Sequence, residues 1–230
     1  YKDKKFHLNK TKECNKIGVN LIHIWEDDWL YKKDIVKSII LNKIGKSNRI
    51  FARNCSIEEL DNKISKSFLD SNHIQSNSNS SIKIGLFYNG ELVSVMTFGK
   101  LRKSLGSKSI DGSWEMVRFS NKIGYTIIGG ASKLFKYFVK KYKPSSVISY
   151  SDSSRGNGNL YNKLGFKFVH DTDVNYYWII DGIRKHRFSY RKDVLVKMGH
   201  DKNKTEVEIM WSLGYRRIFD CGSKKWEMIF

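Results

Sequence analysis

Proline is nearly missing from this 230-residue chain; Pro144 is the only one, and it stops a helix. Cysteine is also scarce. Cys14, Cys55 and Cys221 are odd in number and contain no Cys-x-x-Cys, which excludes a disulfide framework and a cysteine zinc site and fits a reducing compartment. No apolar run approaches 18 residues, so no helical membrane span is expected. No signal peptide is legible, and an intracellular location is expected. Acidic residues are short as well, 23 against 42 Lys and Arg, giving a net charge of +19 and a pI near 9.7. Tyr1 stands where a start methionine would, so the sequence reads as a fragment of something longer.

What remains is enough to fold. Hydrophobic residues make up 40% and aromatics 13%, which excludes global disorder. The charge excess exceeds what solubility needs and points to an anionic partner, nucleic acid ahead of an acidic membrane surface. A lysine-rich source proteome would produce the same excess.

Residues 3–16 read as a basic helix, 19–25 alternate like a strand, and 34–44 form a second helix ended by Gly45. Ser56-Ile-Glu-Glu59 reads as a capping box for a helix carrying Ile57, Leu60, Ile64 and Phe68 on one face. Residues 71–81 are a polar loop. Asn89-Gly90 sits between two β-rich runs as a hairpin turn. A basic loop spans 100–112. Strands follow at 114–119, 147–150, 166–169 and 176–180, with a helix at 131–142 and a short one before 166. Thr205-Glu-Val-Glu208 is a second capping box, and 215–220 with 225–229 reads as a hairpin. The expected class is α/β (α+β): a mixed, mostly antiparallel sheet with flanking helices, a small amino-terminal β-α piece and a basic carboxy-terminal α+β module. The expected domains are 1–48, 49–181 and 182–230.

Two motifs carry chemistry. Thr126-Ile-Ile-Gly129-Gly130-Ala131-Ser132-Lys133 opens an amphipathic helix, and amides at such a start can cradle phosphate oxygens. Leu160-Tyr161-Asn-Lys-Leu-Gly165-Phe166 closes the next strand–turn unit. Together they resemble the GNAT acyltransferase fold, in which a bulged strand feeds a Gln/Arg-x-x-Gly-x-Gly/Ala turn that grips the pyrophosphate of CoA. Thr126 departs from the usual Gln or Arg. The resemblance implies acetyl-CoA or a related acyl-CoA at Gly129, Gly130, Ala131, Ser132 and Lys133, and Tyr161 as acid to the leaving thiolate. Arg118 in Met-Val-Arg-Phe and Asp152 in Ser-Tyr-Ser-Asp resemble phage Mom-type relatives that modify DNA adenine, which makes both catalytic candidates. Bland readings stay open beside these: a glycine pair for close packing, Tyr161 as a core aromatic, Asp152 as a helix N-cap.

Residues 7–45, from His7 to the Leu21-Ile-His-Ile-Trp25-Glu26-Asp27-Asp28-Trp29 run, resemble the tail of a Vsr-type nuclease found in phage homing endonucleases. The upstream acids that would hold Mg²⁺ are not in this chain, so no metal site is expected, and Glu26-Asp27-Asp28 read as solvated turn acids. Nearly the whole layout resembles phage homing endonucleases. Arg184, Lys185, Arg187, Arg191, Lys192, Arg216 and Arg217 interleave with aromatics and suit phosphate and base contacts, with a solvated basic face as the alternative. The leading expectation is a DNA-acting protein, the carboxy-terminal part of a homing endonuclease, with DNA as its partner. The alternative is a Mom-like acyltransferase acting on a nucleobase or another amine.

Overall fold

The computed structural model describes residues 3–101 and 111–230, so most of the expected basic loop 100–112 lies outside the described residues. The chain divides into two compact units. One, here the sheet unit, comprises residues 28–150, 159–170 and 225–230; the second comprises 1–27, 151–158 and 171–224. These units interleave along the sequence, unlike the consecutive blocks expected with boundaries at 48 and 181. The amino-terminal helix α1 (Phe6–Lys16) groups with residues near 221, where Thr11 Oγ1 lies 3.7 Å from Cys221 Sγ.

In the sheet unit, α2 (Glu26–Tyr31) and α3 (Lys33–Lys43) lead to β1 (Asn48–Phe51) and β2 (Ser56–Glu59). Ser56-Ile-Glu-Glu59 is therefore a strand, not the capping box expected. Its ladder with β3 (Ile82–Tyr88), Ser56↔Phe87 to Glu59↔Ile84, outweighs a local cap. The helix that follows, α4 (Asn62–Asn72), is capped instead by Asp61, whose carboxylate accepts from Ile64 N–H at 2.7 Å. Asn89 and Gly90 supply the paired positive φ values, 50° and 79°, that turn β3 into β4 (Glu91–Lys100).

Next come β5 (Ser113–Asn121), β6 (Tyr125–Ile128), α5 (Gly130–Tyr142), β7 (Ser146–Asp152), α6 (Asn159–Leu164) and β8 (Lys167–Asp171). The seven-stranded sheet runs β2-β3-β4-β5-β7-β12-β8, where β12 is Ser223–Ile229. The last strand thus enters between two earlier ones, and the expected hairpin of 215–220 with 225–229 does not form. One face of the sheet packs on α5, where Phe98 stacks on Phe138 with centroids 3.6 Å apart. The other face packs Val95 against Phe68 and Leu69 of α4. A separate two-stranded parallel pair, β1 with β6, leads into α5.

The second unit holds β9 (Tyr176–Ile180), β10 (Ile183–His186), α7 (Lys192–Lys197), α8 (Glu206–Ser212) and β11 (Arg216–Phe219). Its sheet runs β10-β9-β11, so β9 pairs outside the large sheet. Trp178, Leu195, Ile209 and Met210 form its buried cluster. The Thr205–Glu208 capping box forms as read: Thr205 N–H donates to Glu208 Oε2 at 2.7 Å and Glu208 N–H to Thr205 Oγ1 at 3.2 Å. Residues 19–25 make no ladder, although they alternate. His23 N–H donates instead to Ser154 O at 2.9 Å, and Trp25 packs edge-on against His7.

Candidate active site

Among the described residues, the ladder of the sheet unit opens between β5 and β7. β5 and β7 are parallel neighbours joined through α5, but their register covers only Ser113↔Ser146 to Glu115↔Ile148. Past that point the Ser149 hydroxyl, rather than a backbone amide, donates to Met116 O at 2.8 Å. Clefts beyond the carboxyl ends of parallel strands are where α/β sheets take ligands. Just there β5 carries a bulge. Thr97 pairs with Arg118 and Phe98 with Met116, which leaves Val117 as the extra residue. The bulge turns Phe98 and Met116 into the α5 core, while Arg118 stays beside Thr97 on the other face.

Tyr161 reaches this opening from α6. Its ring stacks on Trp226 (5.6 Å, 12°) and meets Phe166 edge-on, which fixes its direction. Its hydroxyl donates to Tyr150 O at 3.3 Å and lies 3.1 Å from Ser149 Oγ. Burial pushes the phenol above its ordinary pKa; the Ser149 contact and the Arg118 charge oppose that rise, and Glu115 adds to it. Arg118 donates from Nε to Ser76 O (3.1 Å) and from Nη1 to Val117 O (3.0 Å). Glu115, only 1% exposed, and Ser149 are the two groups at this opening that the sequence motifs did not single out. The available signal was an acid set between Trp114 and Met116 in a strand, a place where burial normally selects against charge.

At the start of α5, Gly129 is exposed and takes a left-handed conformation (φ 78°, ψ 2°). The first intrahelical bond is Lys133 N–H to Gly129 O at 3.0 Å, so the amides of Gly130, Ala131 and Ser132 have no acceptor within the helix. Gly130 serves packing: a Cβ there would lie 3.0 Å from Ile127 Cγ2. The amides and the close approach are thus separate uses of the pair. Lys133 spans back to Ala52 O (2.8 Å) and Cys55 O (2.5 Å), which fastens the segment after β1 to α5. Thr126 Oγ1 accepts from Asn42 Nδ2 and shares a hydrogen bond with the Ser47 hydroxyl. Arg53 lies beyond the end of β1, where Phe51 pairs with Ile128, and is exposed over the Phe51 ring.

Asp152 ends β7 and closes a local turn in the second unit. Its Oδ1 accepts from Ser154 N–H (2.8 Å) and Ser154 Oγ (2.6 Å), with Arg155 Nε at 3.6 Å from Oδ2. No helix follows it directly. Of the seven basic candidates, Arg184 pairs with Asp27 at 2.6 Å over the Trp25 ring, and Arg187 and Arg217 lie over Tyr176. Arg191 lies 3.8 Å over the exposed Phe188 ring and Arg216 lies 6.0 Å from Trp211. Lys185 and Lys192 are exposed. Among the described residues no three His, Cys, Asp or Glu side chains gather as a metal site, and no helix is long and apolar enough to cross a membrane.

No protein-family model matches the chain, and no curated protein does. Solved structures similar to it are acetyltransferases. One is the Bacillus subtilis acetyltransferase in complex with CoA, at 14% identity and a TM-score of 0.43, covering 76% of this chain and 99% of that one. Another is a GNAT family acetyltransferase from Elizabethkingia anophelis with acetyl-CoA bound, at 13% identity and a TM-score of 0.43, covering 77% and 99%. A third is the IAA acetyltransferase from Bacillus cereus, at 13% identity and a TM-score of 0.40, covering 76% and 99%.

Proposed function

We propose that the sheet unit is a GNAT-type N-acyltransferase that moves an acyl group from an acyl-CoA thioester to an amine. The observation that carries this reading is the opening between β5 and β7, flanked by the Val117 bulge and holding the Tyr161 hydroxyl. The donor's pyrophosphate fits the α5 start, where Gly130, Ala131 and Ser132 offer amides and the helix dipole favours negative charge. Arg53 adds a cation at the same edge. Lys133 holds the segment after β1 and serves this site by position.

The chemistry balances without a further reactant. The amine nitrogen attacks the thioester carbonyl carbon, the C–S bond breaks, and Tyr161 gives its proton to the departing sulfur. The proton lost by the amine passes to water, from which Tyr161 is reprotonated. The phenol keeps its proton at neutral pH and so stands ready to donate it, although burial, by raising its pKa, lowers the driving force for that step.

The test is thiol release from acetyl-CoA by the full chain with a primary-amine panel. Tyr161→Phe should slow turnover about a hundredfold while leaving donor binding intact. Absence of thermal stabilisation at millimolar acetyl-CoA, together with no thiol release, would sink the reading.

A second reading is supported by charge: the acceptor is a nucleobase, or the protein is a DNA-acting, homing-endonuclease-like module. The sheet unit alone has 24 Lys and Arg against 10 Asp and Glu. Under this reading the exposed Lys185 and Lys192 and the half-buried Arg191 contact phosphate. DNA affinity should then fall steeply with salt, and a flat salt response removes the second reading.

A further inference from the structure

The seven-stranded sheet ends in two unlike edges. β2 forms one and β8 the other, each with one hydrogen-bonded neighbouring strand among the described residues. A sheet edge offers backbone N–H and C=O groups to any extended chain, and folded proteins usually blunt it. β2 is blunted. It carries Glu58 and Glu59 in succession, and Glu59 is held by Lys141 at 2.8 Å and by the Tyr142 hydroxyl. Two copies of β2 laid together would crowd their glutamates.

β8 differs. All five of its residues, Lys167-Phe168-Val169-His170-Asp171, are exposed, Phe168 by 49% and Val169 by 41%. The order of these residues limits what can pair there. An antiparallel copy of the strand, with Val169 facing itself, puts Lys167 opposite the partner's Asp171 and Phe168 opposite the partner's His170. Two-fold symmetry makes each of these pairs occur twice. A parallel copy in register would instead set lysine against lysine and aspartate against aspartate. Asp171 Oδ1 accepts from Lys224 Nζ at 2.9 Å, and the Asp171 side chain is 52% exposed, so Oδ2 can serve a second cation. An axis at Val169 suits either backbone phase, since a residue can face itself as a hydrogen-bonded or a non-hydrogen-bonded pair. The Phe168 ring is already seated edge-on against Trp226 at 5.7 Å, so pairing costs it little side-chain freedom.

We propose that β8 is a self-association edge whose occupant is β8 of a second copy of this chain, antiparallel about Val169. The two seven-stranded sheets then continue into one another. This inference does not rest on the acyltransferase reading. One short strand pair buries less than a standard interface, so the dimer belongs to the weak, transient class.

Sedimentation velocity of the full chain tests it, at about 0.3 M salt to screen the repulsion between two chains of charge +19. A concentration-dependent dimer with a dissociation constant on the order of 100 μM is expected. Lys167→Asp and Asp171→Lys should each weaken it about tenfold, since either change sets like charges opposite at both ends. Mixed in equal amounts, the two variants should regain the dimer, because aspartate again faces lysine at both ends. No dimer up to about one millimolar overturns the proposal. So does a mixture that associates no more tightly than either variant alone. Val169→Cys keeps the test decisive if a charge variant fails to fold. Facing Cα atoms in an antiparallel pair lie about 4.5–5.5 Å apart, within disulfide reach. Mild oxidation should crosslink Val169→Cys into a dimer. Glu58→Cys at the other edge should stay monomeric, as should the unsubstituted chain, whose cysteines are buried or half-buried. Failure of Val169→Cys to crosslink, or equal crosslinking of Glu58→Cys, overturns the assignment of β8.

Discussion

Eighteen residues form the main buried apolar cluster of the sheet unit, against four in the cluster of the second unit. The second unit adds polar contacts where apolar ones are few. Arg184 is seated on Asp27 and the Trp25 ring, Arg187 and Arg217 lie over Tyr176, and the Tyr176 hydroxyl donates to Glu206 at 2.6 Å. His7 and His23 are packed with Trp25, and Thr11 Oγ1 lies 2.8 Å from His23 Nε2. Residues 182–230 carry 12 Lys and Arg against 6 Asp and Glu, but the positive excess is larger still in the sheet unit. The sheet unit has 24 basic and 10 acidic residues, the second unit 18 and 13. Arginine is thus no simple marker of a phosphate-binding face here. In the second unit much of it takes the place of core, through rings and carboxylates.

The sharpest test of that contrast removes one large ring from each unit. Trp178→Ala and Phe138→Ala should each cost about 3–5 kcal/mol. The four-residue cluster has little to fall back on, so Trp178→Ala should abolish hydrogen-exchange protection across residues 176–219. Phe138→Ala should lower the melting temperature with the sheet still protected. Equal loss of protection in both variants would erase the distinction.

A smaller effect is expected from pH. Burial, with the Lys10 charge beside it, holds His7 below its ordinary pKa of 6.5, and burial with His7 does the same for His23. Groups depressed on folding contribute stability that is present above 6.5 and lost as pH falls through their folded values. Asp220 has the opposite sign: burial raises its pKa, so its contribution is present below 3.8 and lost as pH rises through the raised value. Exchange at residues 6–25 should therefore accelerate between about pH 7.5 and about pH 5.5, and the change should shrink in His23→Gln. A pH-independent rate of opening across that window would contradict the packing described for the histidines.

The smallest effect is Thr205→Ala, which removes the capping box and should cost about 1 kcal/mol. Urea unfolding of the second unit reads it directly. A cost near zero would mean that packing of Ile209 and Met210 alone sets α8.

Local signals in the sequence were strong where one interaction decides. Asn89-Gly90 needs two positive φ values, and Thr205 with Glu208 satisfies its own helix end, so both were legible. Ser56-Ile-Glu-Glu59 carries the same lettering as a capping box yet lies in a strand, because β3 offers it a ladder that no local pattern announces. The alternation of residues 19–25 likewise lacks a strand partner. The Gly129 turn and Tyr161 were readable as motifs. The Val117 bulge, the short β5–β7 register and the burial of Glu115 arise from pairing across distances that spacing alone does not encode.

Strand β12 has a consequence for how the molecule is made. It occupies a slot between β7 and β8 that cannot close until residues 223–229 leave the ribosome, some fifty residues after β8. Until then Trp226 is absent from the ring stack that orients Tyr161. Such late, long-range pairing is slow to nucleate and leaves two strand edges open in the nascent chain. Biosynthesis would therefore complete the candidate catalytic centre only after β9, β10 and β11 have been made.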